Sequence, residues 1–141
     1  EIIAAPKVYG FDTGFVCYHR GWSTLRSEDM GLLWEHFVLN EITAHQQSRD
    51  IRYWRDKQHH EVDFVLASHG QPSIVIECKW SAAAFSPEHI IAFRKHYPRG
   101  RNFVVSHDVD RAFTRTYNHL VVEFVNLEGL MREIYKFDSR I

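Results

Sequence analysis

Between Tyr53 and Trp80 the chain carries two alternating apolar runs of strand length, E-V-D-F-V-L and S-I-V-I-E-C-K-W, separated by a Gly-Gln-Pro turn. Runs of this kind on either side of a turn signal specify a β-hairpin, and a third run at Arg52 to Arg55 leads into it. Strand side chains alternate between faces, so Glu61, Asp63 and Val65 should share one face and Val62, Phe64 and Leu66 the other. By the same rule Glu77 and Lys79 accompany Val75, opposite Ile74, Ile76, Cys78 and Trp80. Pairing the two charged faces brings Asp63, Glu77 and Lys79 together. Two carboxylates beside one ammonium, on strands that otherwise read as buried, are costly unless they bind something.

An Asp on one strand with Glu-x-Lys on the next resembles the PD-(D/E)XK nuclease superfamily, the restriction-endonuclease-like fold. The resemblance implies hydrolysis of phosphodiester bonds with a hard divalent cation, Mg2+ or Mn2+, which prefers carboxylate oxygens and retained waters. Asp63 and Glu77 would hold the cation, with the Cys78 backbone carbonyl as a further oxygen ligand. Lys79 would sit beside the attacking water or the phosphate. The competing reading of the same residues is a structural ion pair between Lys79 and one of the acids.

Length suits one domain covering residues 1–141, with enough chain to bury a substantial core. Seventeen Lys and Arg against eighteen Asp and Glu leave the chain near neutral, which argues against tight, sequence-independent binding of nucleic acid by this chain alone. Cys17 and Cys78 provide neither a disulfide framework nor zinc-ligand spacing and read as buried thiols. No apolar run reaches the length of a membrane span and no signal-peptide pattern opens the chain, so a cytoplasmic protein without membrane contact is expected. The chain opens with Glu-Ile-Ile rather than Met, as a fragment lacking its targeting region would.

The segment from Pro6 to Tyr18 reads as a strand, a D-T-G turn closed by Asp12, and a short continuation. D-T-G is also an aspartic-protease signature, but one copy needs a second carboxylate from a symmetric partner. From Ser27, as N-cap, to about Gln47 the chain reads as a helix whose apolar arc comprises Met30, Leu33, Trp34, Phe37, Val38 and Ile42. His36, Asn40 and Thr43 fall on its polar side. Glu35 and Glu41 lie within or at the edge of the arc, where acids need partners: either the Asp63 and Glu77 cluster or a nearby Arg such as Arg26 or Arg55.

The ordered blocks P-K-V-Y-G-F-D-T-G, G-L-L-W-E-H-F-V-L-N-E-I, Y-W-R, E-V-D-F-V and I-E-C-K resemble an uncharacterised C-terminal domain of prokaryotic AAA-type ATPases that is assigned the same nuclease-like fold. The resemblance covers residues 6–106. It implies Glu35, Asp63, Glu77 and Lys79 as the catalytic site, Glu35 among the metal ligands, Glu41 and Glu61 as neighbours, and an AAA-type ATPase module as partner. No G-x-x-x-x-G-K-[ST] phosphate loop is present, so ATP chemistry would belong to other residues or another chain. His59 and His60 before Glu61 invite a transition-metal reading, but neighbouring strand residues point to opposite faces. His60 could still stand behind the acids.

Ser86, Pro87 and Glu88 begin a further helix, with Ser86 as N-cap, that ends near Tyr97-Pro98, and Asn102 to Ser106 reads as a short buried strand. Arg94, Lys95, Arg99 and Arg101 form the one basic cluster with aromatic content, suited either to DNA phosphates or to a solvated helix end. Val121 to Val125 reads as a strand and Leu127 to Phe137 as a partly amphipathic helix. The expected architecture is α/β, restriction-endonuclease-like, with a central mixed β-sheet flanked by helices around an α-β-β-β-α-β core. The function it suits is metal-dependent DNA hydrolysis. The alternative is a catalytically silent module that binds nucleic acid or a protein partner, and either form could act as a homo-oligomer.

Overall fold

The computed structural model describes residues 7–45 and 50–138. Helices α1 (Thr13–His19) and α2 (Ser27–His45) precede the strands β1 (Asp50–Arg55), β2 (Glu61–Ala67) and β3 (Ile74–Lys79). A 3-10 turn at Ala82–Ala84 leads to α3 (Glu88–His96), then β4 (Asn102–Ser106), β5 (Phe113–Tyr117), β6 (Leu120–Val125) and α4 (Leu127–Asp138). The six strands form one mixed sheet in the order β1-β2-β3-β4-β6-β5. β4 runs parallel to β3 and β6, and the remaining neighbours are antiparallel. The expected α/β class and α-β-β-β-α-β order are both present, with the β5–β6 hairpin closing the far edge.

Each sheet face is covered because the strands alternate two apolar sets. Phe64, Leu66, Ile74, Ile76 and Cys78 pack with Val38 and Ile42 of α2 and Leu130 and Ile134 of α4. Val65 and Val75 pack on the other face with Ile90 and Phe93 of α3. β4 is buried at all five positions, as a parallel strand covered on both faces must be. Trp34 adds a specific tie, its indole N–H donating to the Val105 carbonyl at 3.0 Å and fixing α2 over β4.

Several expectations are corrected. Strand alternation predicts Val62 beside Phe64 and Leu66, yet it packs with Val65 and Val75. The cause is a bulge: Arg52 lies opposite Val65 and Trp54 opposite Val62, so Asp63 and Phe64 together face Tyr53 and the alternation resets. The D-T-G stretch is no turn between strands, because Asp12 is the N-cap of α1 and its Oδ1 accepts from the Phe15 amide at 2.9 Å. At α2, Ser27 is already helical and Asp29 reaches back to accept from the Arg26 amide at 2.9 Å. His36 is buried against Tyr9, whereas Phe37 is exposed. The expected extension of α2 to residue 47 lies outside the described residues. Pro87, rather than Ser86, caps α3. β5 was not anticipated, since F-T-R-T-Y lacks an apolar run. Among the described residues no helix is long and apolar enough to cross a membrane.

Candidate active site

β2 and β3 pair through Phe64 to Leu66 and Ile74 to Ile76. Just past the last of these pairs, the Asp63 Oδ2 atom accepts from the Cys78 amide at 2.9 Å. A side chain there satisfies an amide that the neighbouring strand would otherwise engage. The bulge therefore turns Asp63 toward the carboxyl end of β3. Glu77 stands beside it, with Oε2 accepting from Lys79 Nζ at 3.0 Å. Asp63 is 9% exposed and Glu77 2%. Among the described residues, Glu77 Oε1 is buried with no hydrogen-bond partner. An orphaned carboxylate oxygen at that depth is a costly feature for a purely structural pair.

The remaining acids arrive by a route that strand periodicity does not reveal. Lys7 lies before α1, and its Nζ contacts Glu61 Oε1 at 2.5 Å, Glu35 Oε1 at 3.1 Å and Asp63 Oδ1 at 3.7 Å. The Tyr9 hydroxyl donates to the same Glu35 oxygen at 2.6 Å, while its ring packs on His36 and Phe64. Four carboxylates thus meet two ammonium groups. A cavity of about 400 Å³ opens on the cluster, lined by Glu35, Asp63, Cys78, Lys79 and Trp80, with Ser27 and Glu28 of α2 at its rim.

Electrostatics follow from this crowding. Burial, then the nearby Glu35, pushes the Asp63 carboxyl up to about 6. Burial, then Asp63, pushes Glu77 up to about 8, the lysines offsetting only part of the effect. Burial opposes the charge on Lys79, but Glu77 and Asp63 outweigh it and its proton is held more tightly than usual. The Cys78 thiol is driven well above its ordinary range by burial and then by the acids, so it stays protonated.

A stability profile follows. Asp63 and Glu77 take up protons more readily folded than unfolded, so their contribution is full below about pH 4 and is lost as pH rises through about 6 and then about 8. Asp108, lowered to about 2 chiefly by the Ser106 and Ser81 hydroxyls, acts only on the acid side of this window. Urea denaturation in EDTA should therefore show stability falling between pH 5 and 8.5 by on the order of 2 to 5 kcal/mol. Glu77→Gln should flatten the upper part of the fall.

The other candidate residues are placed as follows. Cys78 meets Asp63 through its amide. Glu61 joins the acids through Lys7. Glu41 lies six residues beyond Glu35, about 9 Å along α2, and its backbone carbonyl lies 2.8 Å from His45 Nδ1. His60 braces the turn before β2 through Asp56, at 2.7 Å. The basic cluster lies at the other end of β3, roughly 20 Å from Lys79, where Arg94 bonds Ser73 just before the strand. Arg94 is buried there, and Arg101 pairs with Glu123 and Glu133 at 2.5 and 2.8 Å. Lys95 and Arg99 are exposed. A larger hollow of about 530 Å³ between α3 and the β5–β6 hairpin contains Lys95 and His119 but none of the four acids. Lys7 and Tyr9 are the residues that sequence reasoning missed. The available signal is a cation and a phenol two positions apart within a block whose pattern suggests only strand and turn.

Residues 30–127 match the family model described as Domain of unknown function (DUF4143). Uncharacterized proteins of Mycobacterium tuberculosis and Mycobacterium bovis are each 32% identical over 72 residues, covering 48% of this chain and 16% of those proteins. The chain thus spans about a sixth of the length of the curated relatives it matches. Among solved structures, a chain of the Thermococcus gammatolerans assembly of McrB AAA+ hexamers with bound McrC is similar at a TM-score of 0.55 and 12% identity. That match covers 77% of this chain and 33% of that one, and it is a likeness of fold.

Proposed function

The chain belongs to the DUF4143 family, and from that premise we propose that it is a divalent-metal-dependent, PD-(D/E)XK-like nuclease module that hydrolyses phosphodiester bonds in DNA. The observation that carries this reading is the buried pair of Asp63 and Glu77, one oxygen of which has no partner, with Lys79 beside them. Two carboxyls side by side in a low-dielectric pocket resist ionising together, and a cation would relieve that cost. The donors are all carboxylate oxygens, which suit Mg2+ or Mn2+ rather than a softer metal.

Asp63 and Glu77 would hold the ion, with Glu35 reaching in from α2. When bound, the ion supplies Lewis acidity toward a phosphate oxygen and a water of lowered pKa. Lys79, kept protonated by Glu77 and Asp63, donates hydrogen bonds toward the phosphate oxygens and counters the charge that develops on them. Trp80 forms one wall of the cavity and limits solvent at the acids. Exposed Lys95 and Arg99 lie too far along the sheet to touch the same phosphate and would serve only a longer strand.

An AAA-type ATPase is the partner we infer. Support comes from the ordered sequence blocks and from the fold likeness to a chain in an assembly of McrB AAA+ hexamers with McrC. The near-neutral charge agrees with a module that depends on a partner to deliver DNA. The test is incubation of labelled single-stranded, duplex and branched DNA with the protein in Mg2+, in Mn2+ and in EDTA. Cleavage that needs either metal is the expected result. Failure to cut any substrate while still binding Mn2+ would replace the enzyme with a catalytically silent module. Failure to bind Mn2+ as well would remove the metal site.

A further inference from the structure

Lys7 lies outside the Asp and Glu-x-Lys strands, yet its ammonium touches three carboxylates from two elements: Glu35 on α2, and Glu61 and Asp63 on β2. It is the cation those oxygens hold in the metal-free protein. Glu35, Glu61, Asp63 and Glu77 outnumber Lys7 and Lys79, so the cluster stays on the acidic side even with Lys7 in place. We propose that Lys7 is the resident cation of this cluster and that a divalent metal exchanges with it, so that loading the site expels the Lys7 ammonium. The proposal rests on the metal-dependent reading above and adds how that site is gated.

Five features support exchange over a permanent pin. An ammonium and a divalent cation cannot share carboxylates a few ångströms apart without strong repulsion. The Lys7 side chain is 31% exposed on a flexible four-carbon stem, so it has a way out to water. Its longest contact, 3.7 Å, is the one to Asp63, the residue a metal would claim. Tyr9 holds Glu35 independently at 2.6 Å, so Glu35 keeps its place when Lys7 leaves. Lys79 differs, since it is fixed on β3 and engages Glu77, leaving Lys7 as the cation that can move.

The experiment is calorimetric titration of Mn2+ into wild type, Lys7→Met and Lys7→Arg at pH 7.5, together with thermal melts with and without the metal. Lys7→Met should bind Mn2+ about tenfold more tightly or better, as expected when a state that occupies the site nine-tenths of the time is removed. Lys7→Arg, which keeps the charge, should bind as wild type does. The metal-free Lys7→Met protein should melt lower than wild type, and saturating Mn2+ should close the gap. Equal or weaker Mn2+ binding by Lys7→Met would overturn the exchange while leaving the metal site standing. No binding by any of the three would overturn the exchange and the metal site together. Should Lys7→Met fail to fold, the wild-type protein still decides the matter through the nitrogen resonance of the Lys7 ammonium during a Mg2+ titration. Loss or displacement of that signal at saturation is expected, and an unchanged signal at saturating Mg2+ would overturn the proposal.

Discussion

Glu77→Gln is expected to abolish metal-dependent DNA cleavage while making the metal-free protein more stable at pH 8.5, by about 1 to 3 kcal/mol. The two effects have opposite signs because the same crowding causes both. Folding at that pH buries an already ionised Glu77 in a site that is 2% exposed, next to Asp63, with Oε1 unsatisfied. An amide of the same shape removes the charge and one repulsion, and it also removes one of the proposed metal ligands. Cleavage should fall by at least about a thousandfold, the scale on which lost electrostatic stabilisation of a transition state registers. Below about pH 4 the carboxyl is protonated in the folded and the unfolded chain alike, so the stability advantage should vanish there and be small at pH 5. Asp63→Asn should behave alike with a smaller gain, since Oδ2 already serves the Cys78 amide and an amide oxygen can keep that bond. A structural salt bridge predicts the reverse, with Glu77→Gln stranding Lys79 at a cost of about 3 to 5 kcal/mol if the pair is fully buried. Urea titrations of both variants at pH 5 and pH 8.5 in EDTA, beside nuclease assays in Mg2+, separate the two accounts. Destabilisation at both pH values, with cleavage retained, would reject the catalytic pair.

How far the site could be read from residues alone depended on the range of the interaction. Asp63, Glu77 and Lys79 lie on adjacent strands, so a period of two and one turn suffice to bring them together. Glu35 required a tertiary contact between α2 and the sheet, and helix periodicity could indicate only that this acid faces inward. Lys7 is 28 residues from Glu35, and no local rule links an extended lysine to a helix that begins twenty positions later. The bulge at Asp63 was illegible for a different reason. E-V-D-F-V-L alternates without interruption, and the extra residue is visible only in how β1 pairs with it. Asp12 shows local chemistry read with the wrong outcome. A side chain that bonds backbone amides two or three positions on closes a turn or caps a helix equally well, and the aromatic and β-branched residues after Gly14 favoured the strand reading.

Arg94→Met is expected to destabilise the protein by at least about 3 kcal/mol, with no separate effect on DNA affinity in the fraction that stays folded. From sequence, Arg94 belongs to a basic helix end open to phosphates. In the fold its guanidinium is buried and fully engaged. Nε donates to Asn102 Oδ1 at 2.7 Å, Nη1 donates to the Ser73 hydroxyl and the Tyr97 and Arg99 carbonyls, and Nη2 donates to the Ser73 and Arg101 carbonyls. Burial pulls its pKa down to about 10, and no carboxylate stands among those partners to raise it again. One side chain therefore ties the start of β3 to the end of α3 and the start of β4, with five donors that methionine cannot replace. Gly100 completes the corner at φ 134°, where a Cβ would lie 1.8 Å from the Ser73 carbonyl oxygen. Gly100→Ala should consequently damage the same corner by a steric route that leaves the charge intact. Lys95→Ala and Arg99→Ala, exposed in the same stretch, should change stability by no more than about 0.5 kcal/mol. Chemical denaturation of the four variants, with DNA binding measured across a salt series, provides the check. Wild-type stability for Arg94→Met together with weaker, less salt-dependent DNA binding would return this guanidinium to the nucleic-acid interface. Loss of stability in both Arg94→Met and Gly100→Ala, with the two surface variants unaffected, would fix it as the brace that sets the spacing of β3 and β4 and so the position of Glu77.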